Sequence, residues 1–266
     1  MIRSLYSAVS GLRNHQIRMD VIANNVANVN TTGFKSSRAN FQDVLSQTIR
    51  PAGGPDTTNN AYGSTNPSQV GLGMSLAGIS LNMTQGALQN TGRTLDVAIQ
   101  GNGFFVVQKP DGEKYYTREG IFFVDANGDL VNSNGYYILG EDGNKITVGT
   151  TVSSIVISTT GEVLADGQSK GYIGLASFPN PEGLEKVGQN LYKETGASGT
   201  VNIEKAGESG TPVVNTTIAS GYLEMSNVDL SEEFTNMITT QRGYQANARV
   251  ITVSDTLLEE LVNLKR

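Results

Sequence analysis

Cysteine and tryptophan are absent from this sequence, and histidine occurs once, as His15. Without cysteine there is no disulfide framework, no thiolate nucleophile and no cysteine-ligated zinc, and no redox clue to the compartment. One imidazole cannot build a multi-histidine metal centre, and it leaves a Ser-His-Asp relay with little to stand on. Charge is also scarce: 17% of the 266 residues are Asp, Glu, Lys or Arg, beside 38% hydrophobic and 7% aromatic residues. The gap is filled by 31 glycines and by Asn, Ser and Thr, a composition of neither a helix-rich enzyme nor a highly charged disordered chain. The net charge of −6 opposes general nucleic-acid binding, which rests on neutralising phosphates. No apolar run reaches the roughly 18–20 residues that span a bilayer. The opening Met1-Ile2-Arg3-Ser4-Leu5-Tyr6 lacks the apolar core of a signal peptide, so any export is expected by another route.

What is present begins with two long heptad patterns. Residues 1 to about 30 place Ile2, Leu5, Val9, Leu12, Gln16, Met19, Ala23 and Val26 at alternating spacings of three and four. Residues from about 230 to 264 repeat the device with Leu230, Phe234, Met237, Gln241, Tyr244, Ala248, Ile251, Asp255, Leu258 and Val262. Such spacing is that of a coiled-coil seam. Asp229, with Glu232 three residues on, gives the second helix a capping-box-like start. Gln16 and Gln241 would form a polar pair fixing register. Two amphipathic helices packed on a globular core would show the same periodicity. Apolar residues off the stripe (Ile17, Val21 and Ile22; Ile238, Val250, Leu257 and Leu261) ask for more neighbours than one partner helix supplies.

Between the helices the texture changes. From Thr57 to Gly92 no residue is charged. A flexible linker is one reading, but near-alternating Val70, Leu72, Met74, Leu76, Ile79 and Leu81 favour extended structure packed against something. Residues 93–224 read as all-β, with strands over Leu95–Ile99, Phe104–Gln108, Lys114–Thr117, Ile121–Val124, Tyr136–Leu139, Ser154–Ser158 and Tyr172–Ser177. They are separated by the hairpin dipeptides Asp111-Gly112, Asn127-Gly128, Asn134-Gly135 and Asp166-Gly167. The expected class is therefore α+β. Terminal helical regions 1–35 and 226–266 pair as a coiled coil, residues 36–92 form an extended linker region, and an all-β domain of barrel or sandwich type is inserted at 93–225.

No catalytic, cofactor-binding or metal-binding constellation emerges. Asp125-Ala126-Asn127-Gly128-Asp129 starts like a calcium loop but has Leu130 at the sixth position and Tyr136 at the twelfth. Gly101-Asn102-Gly103 begins a dinucleotide fingerprint that no third glycine completes. More unusual is Ala23-Asn24-Asn25-Val26-Ala27-Asn28-Val29-Asn30-Thr31-Thr32-Gly33-Phe34-Lys35. Asn24 and Asn28 lie one turn apart, Gly33 suits the position after a helix end, and Phe34 offers an apolar anchor beyond it.

That block, preceded by Ser4-Leu5-Tyr6-Ser7-Ala8-Val9-Ser10-Gly11-Leu12, resembles the N-terminus of the bacterial flagellar rod and hook axial proteins. Leu95-Asp96-Val97-Ala98-Ile99, Gly101-Asn102-Gly103-Phe104-Phe105-Val106 and Tyr116-Thr117-Arg118-Glu119-Gly120 match the family's middle. Ser226-Asn227-Val228-Asp229-Leu230, Gln241-Arg242-Gly243-Tyr244 and Ala246-Asn247 match its end. The resemblance implies a structural subunit, not an enzyme, that stacks helically with copies of itself into a hollow tube. It implies paired terminal helices lining the wall, a β domain facing outward, and passage through the flagellar type III export apparatus. Partners would be self, neighbouring rod or hook–filament junction proteins, and an assembly cap. The assembly contacts would fall on Leu5, Val9, Leu12, Met19, Asn24, Asn25, Asn28 and Phe34, and on Leu230, Phe234, Met237, Gln241, Tyr244, Ile251 and Leu258. The length, Arg3-Ser4-Leu5-Tyr6-Ser7, Ser46-Gln47-Thr48-Ile49 and the ending Glu260–Arg266 look most like the short hook subunits of Gram-positive bacteria, with the distal rod as the alternative. A secreted β-rich hydrolase or adhesin is the remote one.

Overall fold

The computed structural model describes residues 2–54, 64–150, 152, 154–207 and 215–264. Residues 57–63 of the uncharged stretch, and the side chain of Ile2 from the first heptad, lie outside the described residues. The class is α+β: helix α1 (Ile2–Ala27), a β-rich middle, and helix α2 (Leu230–Asn263). Two compact units account for the chain. The first comprises residues 1–26, 37–80 and 230–266; the second comprises 27–36 and 81–229.

In the first unit, α1 and α2 accompany four strands, β1 (Ser37–Asp43), β2 (Ser46–Arg50), β3 (Ser68–Gly71) and β4 (Met74–Leu81). β1 pairs with β4, and β2 with β3 in an antiparallel hairpin. Within the uncharged stretch, β3 and β4 are extended, as the near-alternating apolar residues from Val70 to Leu81 lead one to expect. β2 and β3 expose every residue, so their burial gives no alternation to detect. α1 touches this sheet through small polar groups: Asn14 Nδ2 donates to the Met74 carbonyl (2.7 Å), and the Ser10 hydroxyl accepts the Met74 N–H (3.4 Å).

Among its described residues the second unit consists of β-strands and loops, with one short 3-10 turn at Pro181–Gly183. Among the described residues its main sheet has nine strands. One path runs Glu185–Gly188, Leu191–Lys193, Lys114–Thr117, Phe104–Gln108, Tyr137–Ile138, Leu130–Asn132, Phe122–Val124. Leu175–Ser177 branches from Phe104–Gln108 to pair with Asn202–Glu204. A meander of Ile155–Ile157, Glu162–Ala165 and Gln168–Tyr172, and the pairs Val97–Gln100 with Thr217–Ser220 and Leu88–Asn90 with Tyr222–Glu224, complete it. The strands expected at Phe104–Gln108 and Lys114–Thr117 stand at those bounds. The strand expected over Tyr172–Ser177 is divided: Tyr172 closes the meander, and Leu175 opens the next strand after Ile173-Gly174. The hairpin glycines Gly112, Gly128, Gly135 and Gly167 all have positive φ, between 80° and 85°, as tight turns require. Two apolar clusters fill the unit, one around Phe105, Phe122, Leu130, Ile138, Ile173 and Leu175, the other around Phe104, Tyr116, Leu139 and Tyr192.

Candidate assembly interface

The two helices meet along a line the heptads do not mark. A Cβ placed on Gly11 would lie 2.6 Å from Asn247 Nδ2, and one on Gly243 would lie 2.8 Å from His15 Nε2. Further on, Arg18 Nη2 donates to Asn236 Oδ1 (3.2 Å) and Asn25 Nδ2 to Glu233 Oε1 (2.7 Å). As residue numbers rise on α1 they fall on α2, so these contacts run antiparallel. Apart from Asn14, which faces β4, the buried residues Ala8, Gly11, Ile22 and Asn25 on α1, and Thr240 and Ser254 on α2, lie on the same faces. They repeat at the same three-and-four spacing one residue before the apolar stripe. Small side chains permit the close approach. Thr240 and Ser254 satisfy their hydroxyls on the carbonyls of Asn236 (2.6 Å) and Val250 (2.8 Å), four residues back, so neither is buried unpaired.

The expected stripe is left largely outward. Val9, Leu230, Phe234, Gln241 and Tyr244 are exposed, with Phe234 at 50%; Leu5, Leu12, Met19, Met237, Ile251 and Leu258 are half-buried. Gln16 is exposed like Gln241, which corrects the expectation of a buried polar pair: both project from the apolar stripe while the small-residue line makes the contact. The off-stripe Ile238, Leu257 and Leu261 are exposed too. On the β2–β3 hairpin and its flanks, Leu45, Ile49, Val70 and Leu72 are exposed as well.

Among the asparagines, Asn24 is exposed and Asn28 half-buried, whereas Asn25 is buried. Asn25 donates to the Ser37 carbonyl (2.8 Å), accepts from the Ser37 N–H (3.0 Å) and also reaches Glu233, so it clasps the returning chain to both helices. Asn28 accepts from the Thr31 hydroxyl (3.1 Å) as α1 ends.

The segment from Thr31 to Ser36 is held inside the second unit by a buried charge cluster. Gly33, at φ 67°, donates its N–H to the Glu224 carbonyl (2.8 Å) and abuts the backbone of Arg118 and Glu119. Phe34 is buried with the Lys186 ammonium 4.6 Å above its ring. Lys35 Nζ meets Glu224 Oε1 (2.6 Å) and the Thr84 carbonyl (2.7 Å); Arg118 meets Glu224 Oε2 (3.1 Å) and the Gly101 carbonyl (2.8 Å). The Gly86 N–H also donates to Glu224 Oε1 (2.9 Å). Side chains of all three charged residues are at most 4% exposed. Burial, above all, holds Lys35 below the usual lysine range, against the pull of Glu224. Two cations thus share one carboxylate. The contacts of Asn25 and Phe34 described here lie within the chain.

Sequence reasoning missed the small-residue line, although Ala8, Gly11, Gly243 and Ser254 are spaced regularly enough to have revealed it. It also missed the charge cluster, whose members lie far apart in the sequence. The Asp125–Asp129 loop is a hairpin turn: Asp129 accepts from Lys145 Nζ and Thr147 Oγ1, each at 2.6 Å.

Comparison with known proteins gives consistent matches along the chain. Residues 5–35 match the flagella basal body rod protein family, residues 98–165 the D1 domain of the flagellar hook protein FlgE/F/G, and residues 219–264 the C-terminal region of the flagellar basal body rod FlgEFG proteins. The flagellar basal-body rod protein FlgG of Bacillus subtilis is 48% identical over 272 residues, covering 100% of both chains. FlgG of Borreliella burgdorferi is 42% identical over 274 residues, again with full coverage of both. The flagellar hook protein FlgE of that organism is 32% identical, over an alignment of 449 residues.

Proposed function

The chain belongs to the flagellar rod and hook axial protein family, whose members here are structural proteins and not enzymes, and we propose that it is a subunit of the distal rod. In that role it polymerises helically into a straight hollow shaft of the basal body and transmits motor torque. The observation that carries this reading is end-to-end similarity to rod relatives of nearly its own length. The hook relative aligns only through long insertions, so the short-hook reading suggested by the terminal motifs becomes the alternative.

In this reading α1 and α2 form the coiled-coil inner wall, residues 36–92 surround it, and the β-rich region 93–225 is an inserted outer domain. Support comes from the apolar residues left outward on α2. Completing the burial of one half-exposed Phe, Ile or Leu contributes about 1 kcal/mol. Phe234, Ile238, Val253, Leu257, Leu261 and Val262 are six such residues on each copy, to be set against an association cost of roughly 4–15 kcal/mol. Burying this surface asks for partners beyond the chain itself, which a helical tube supplies. Partners in this reading are copies of itself, the adjoining rod and hook or junction proteins, the flagellar export apparatus and an assembly cap. The site of action is the basal body, reached by type III export.

Immunogold labelling of isolated hook–basal bodies tests the proposal. Gold confined to the straight shaft supports a rod subunit; gold along the curved segment outside the envelope refutes it in favour of the hook.

A further inference from the structure

The hairpin of Glu185–Gly188 with Leu191–Lys193 turns through three consecutive residues of positive φ, Gly188 at 98°, Gln189 at 54° and Asn190 at 57°. Tight hairpin turns of this hand are commonly written Asn-Gly; a glutamine in the left-handed region is uncommon and costs backbone energy. Of the three positive-φ residues other than glycine among the described residues, two stand here. Strain of this kind persists only where the surroundings hold it, and the surroundings include the segment that follows α1. Asn190 Nδ2 donates to the Thr32 carbonyl (3.1 Å), and the Asn190 side chain also hydrogen-bonds the Glu119 carboxylate. The Asn190 carbonyl accepts from the Thr117 hydroxyl (2.9 Å). Lys186 Nζ donates to the Lys35 carbonyl (2.8 Å) and lies over the Phe34 ring; burial holds this ammonium below the usual lysine range. Gln189 is tied from another side, its Oε1 accepting from the Tyr136 hydroxyl (3.1 Å). Between segment and hairpin lies a cavity of about 130 Å³, lined by Asn28, Phe34, Lys186, Asn190 and Tyr192 among others. Discrete polar contacts around a gap, and not a continuous packed face, join the two.

We propose that the Glu185–Lys193 hairpin is a strap that closes over residues 31–35, its left-handed turn held shut by the seated segment and relaxing when the segment leaves. With the segment gone, the Asn190 amide loses the Thr32 carbonyl, and the Lys186 ammonium loses both the Lys35 carbonyl and the Phe34 ring. The backbone cost at Gln189 and Asn190 remains, while the burial of Lys186 has lost two of its compensations. Closure and seating are thus one event. Its reach goes beyond the segment, because Glu185–Gly188 ends one path of the nine-strand sheet and exposes all four residues. The surface carried by that edge strand is then set only in a copy whose segment is in place. Every contact involved lies within the second unit, so the device depends neither on the pairing of α1 with α2 nor on the choice between rod and hook.

Hydrogen exchange of the full-length protein, read by mass spectrometry in rising urea below the unfolding of the Phe104–Gln108 strand, follows both elements in one sample. Peptides covering residues 31–36 and 185–193 should lose protection together, with one urea dependence. If residues 31–36 already exchange freely without urea, the hairpin should too. A hairpin protected where the segment is open overturns the proposal, and so does the reverse. Two variants separate coupling from coincidence. Gln189→Gly removes the left-handed cost and should raise hairpin protection by up to about tenfold; no rise overturns the proposal. Where residues 31–36 are protected in the parent, Phe34→Ala should release segment and hairpin alike while Phe104–Gln108 stays protected; a hairpin left as in the parent overturns it. Should Phe34→Ala unfold that strand as well, Gln189→Gly decides alone.

Discussion

Replacing Glu224 with glutamine should destabilise the second unit far more than replacing Lys35 with methionine, although the two residues share one ion pair. Glu224 is the only anion in a buried group with Lys35 and Arg118. Glutamine keeps the shape and an acceptor for the Gly86 N–H, but leaves two buried cations uncompensated. Breaking a buried pair in this way costs about 3–5 kcal/mol. Methionine at position 35 has the opposite electrostatic result: Arg118 and Glu224 remain as a neutral pair, Glu224 Oε1 still accepts from Gly86 (2.9 Å), and the Thr84 carbonyl still accepts from Asn227 Nδ2 (3.2 Å). With few groups orphaned, the loss is about 1–2 kcal/mol, near that of an ordinary charged hydrogen bond. Urea unfolding, followed by tyrosine fluorescence because tryptophan is absent, gives both values. The Glu224→Gln deficit should also shrink as pH rises from 7 to 9. Burial already lowers Lys35, and without its anion the folded chain releases that proton sooner than the unfolded chain. The folded state then binds fewer protons, and stability climbs with pH. A Lys35→Met cost equal to or above that of Glu224→Gln would refute the assignment of Glu224 as the hub.

Three further outcomes follow from the geometry. Gly243→Ala should raise the intrinsic helicity of an isolated α2 peptide, by about 1 kcal/mol. It should nevertheless weaken pairing in the whole chain, because the new Cβ meets the His15 ring; His15→Ala in the same chain should restore much of the pairing, as read by hydrogen exchange. Gly33→Ala should lower the urea midpoint by an amount worth at least about 2 kcal/mol, since it combines φ 67° with backbone atoms 2.7 Å from the new Cβ. Phe234→Ala should leave the unfolding of the single chain within about 0.5 kcal/mol, because the ring is half exposed. It should raise the critical concentration for polymer formation several-fold in a sedimentation assay; an unchanged value would remove Phe234 from the contacts between subunits.

How far the sequence could be read depended on where the energy lies. The central strands Phe104–Gln108 and Lys114–Thr117 were legible because their apolar residues are fully buried and Asp111-Gly112 fixes the turn between them. The helices were legible in extent but not in contact. Heptad analysis follows hydrophobic amplitude, and the line where the helices touch is made of Ala8, Gly11, Thr240, Gly243 and Ser254, whose merit is small size. The hairpin of Ser46–Arg50 with Ser68–Gly71 has both faces in solvent, so no alternation announces it. Lys35 and Glu224 are 189 residues apart; nothing local to either position says that their charges will meet.

That separation has a consequence for how the chain is completed. Gly33, Phe34 and Lys35 emerge early in synthesis, but the carboxylate that neutralises Lys35 and Arg118 and the carbonyl that accepts the Gly33 N–H both come from Glu224. A chain cut short before that residue has two cations and a backbone donor that cannot be buried at acceptable cost. It also lacks all of α2. The N-terminal segment thus finds its buried counter-charge and its backbone acceptor only in a chain made nearly to its end.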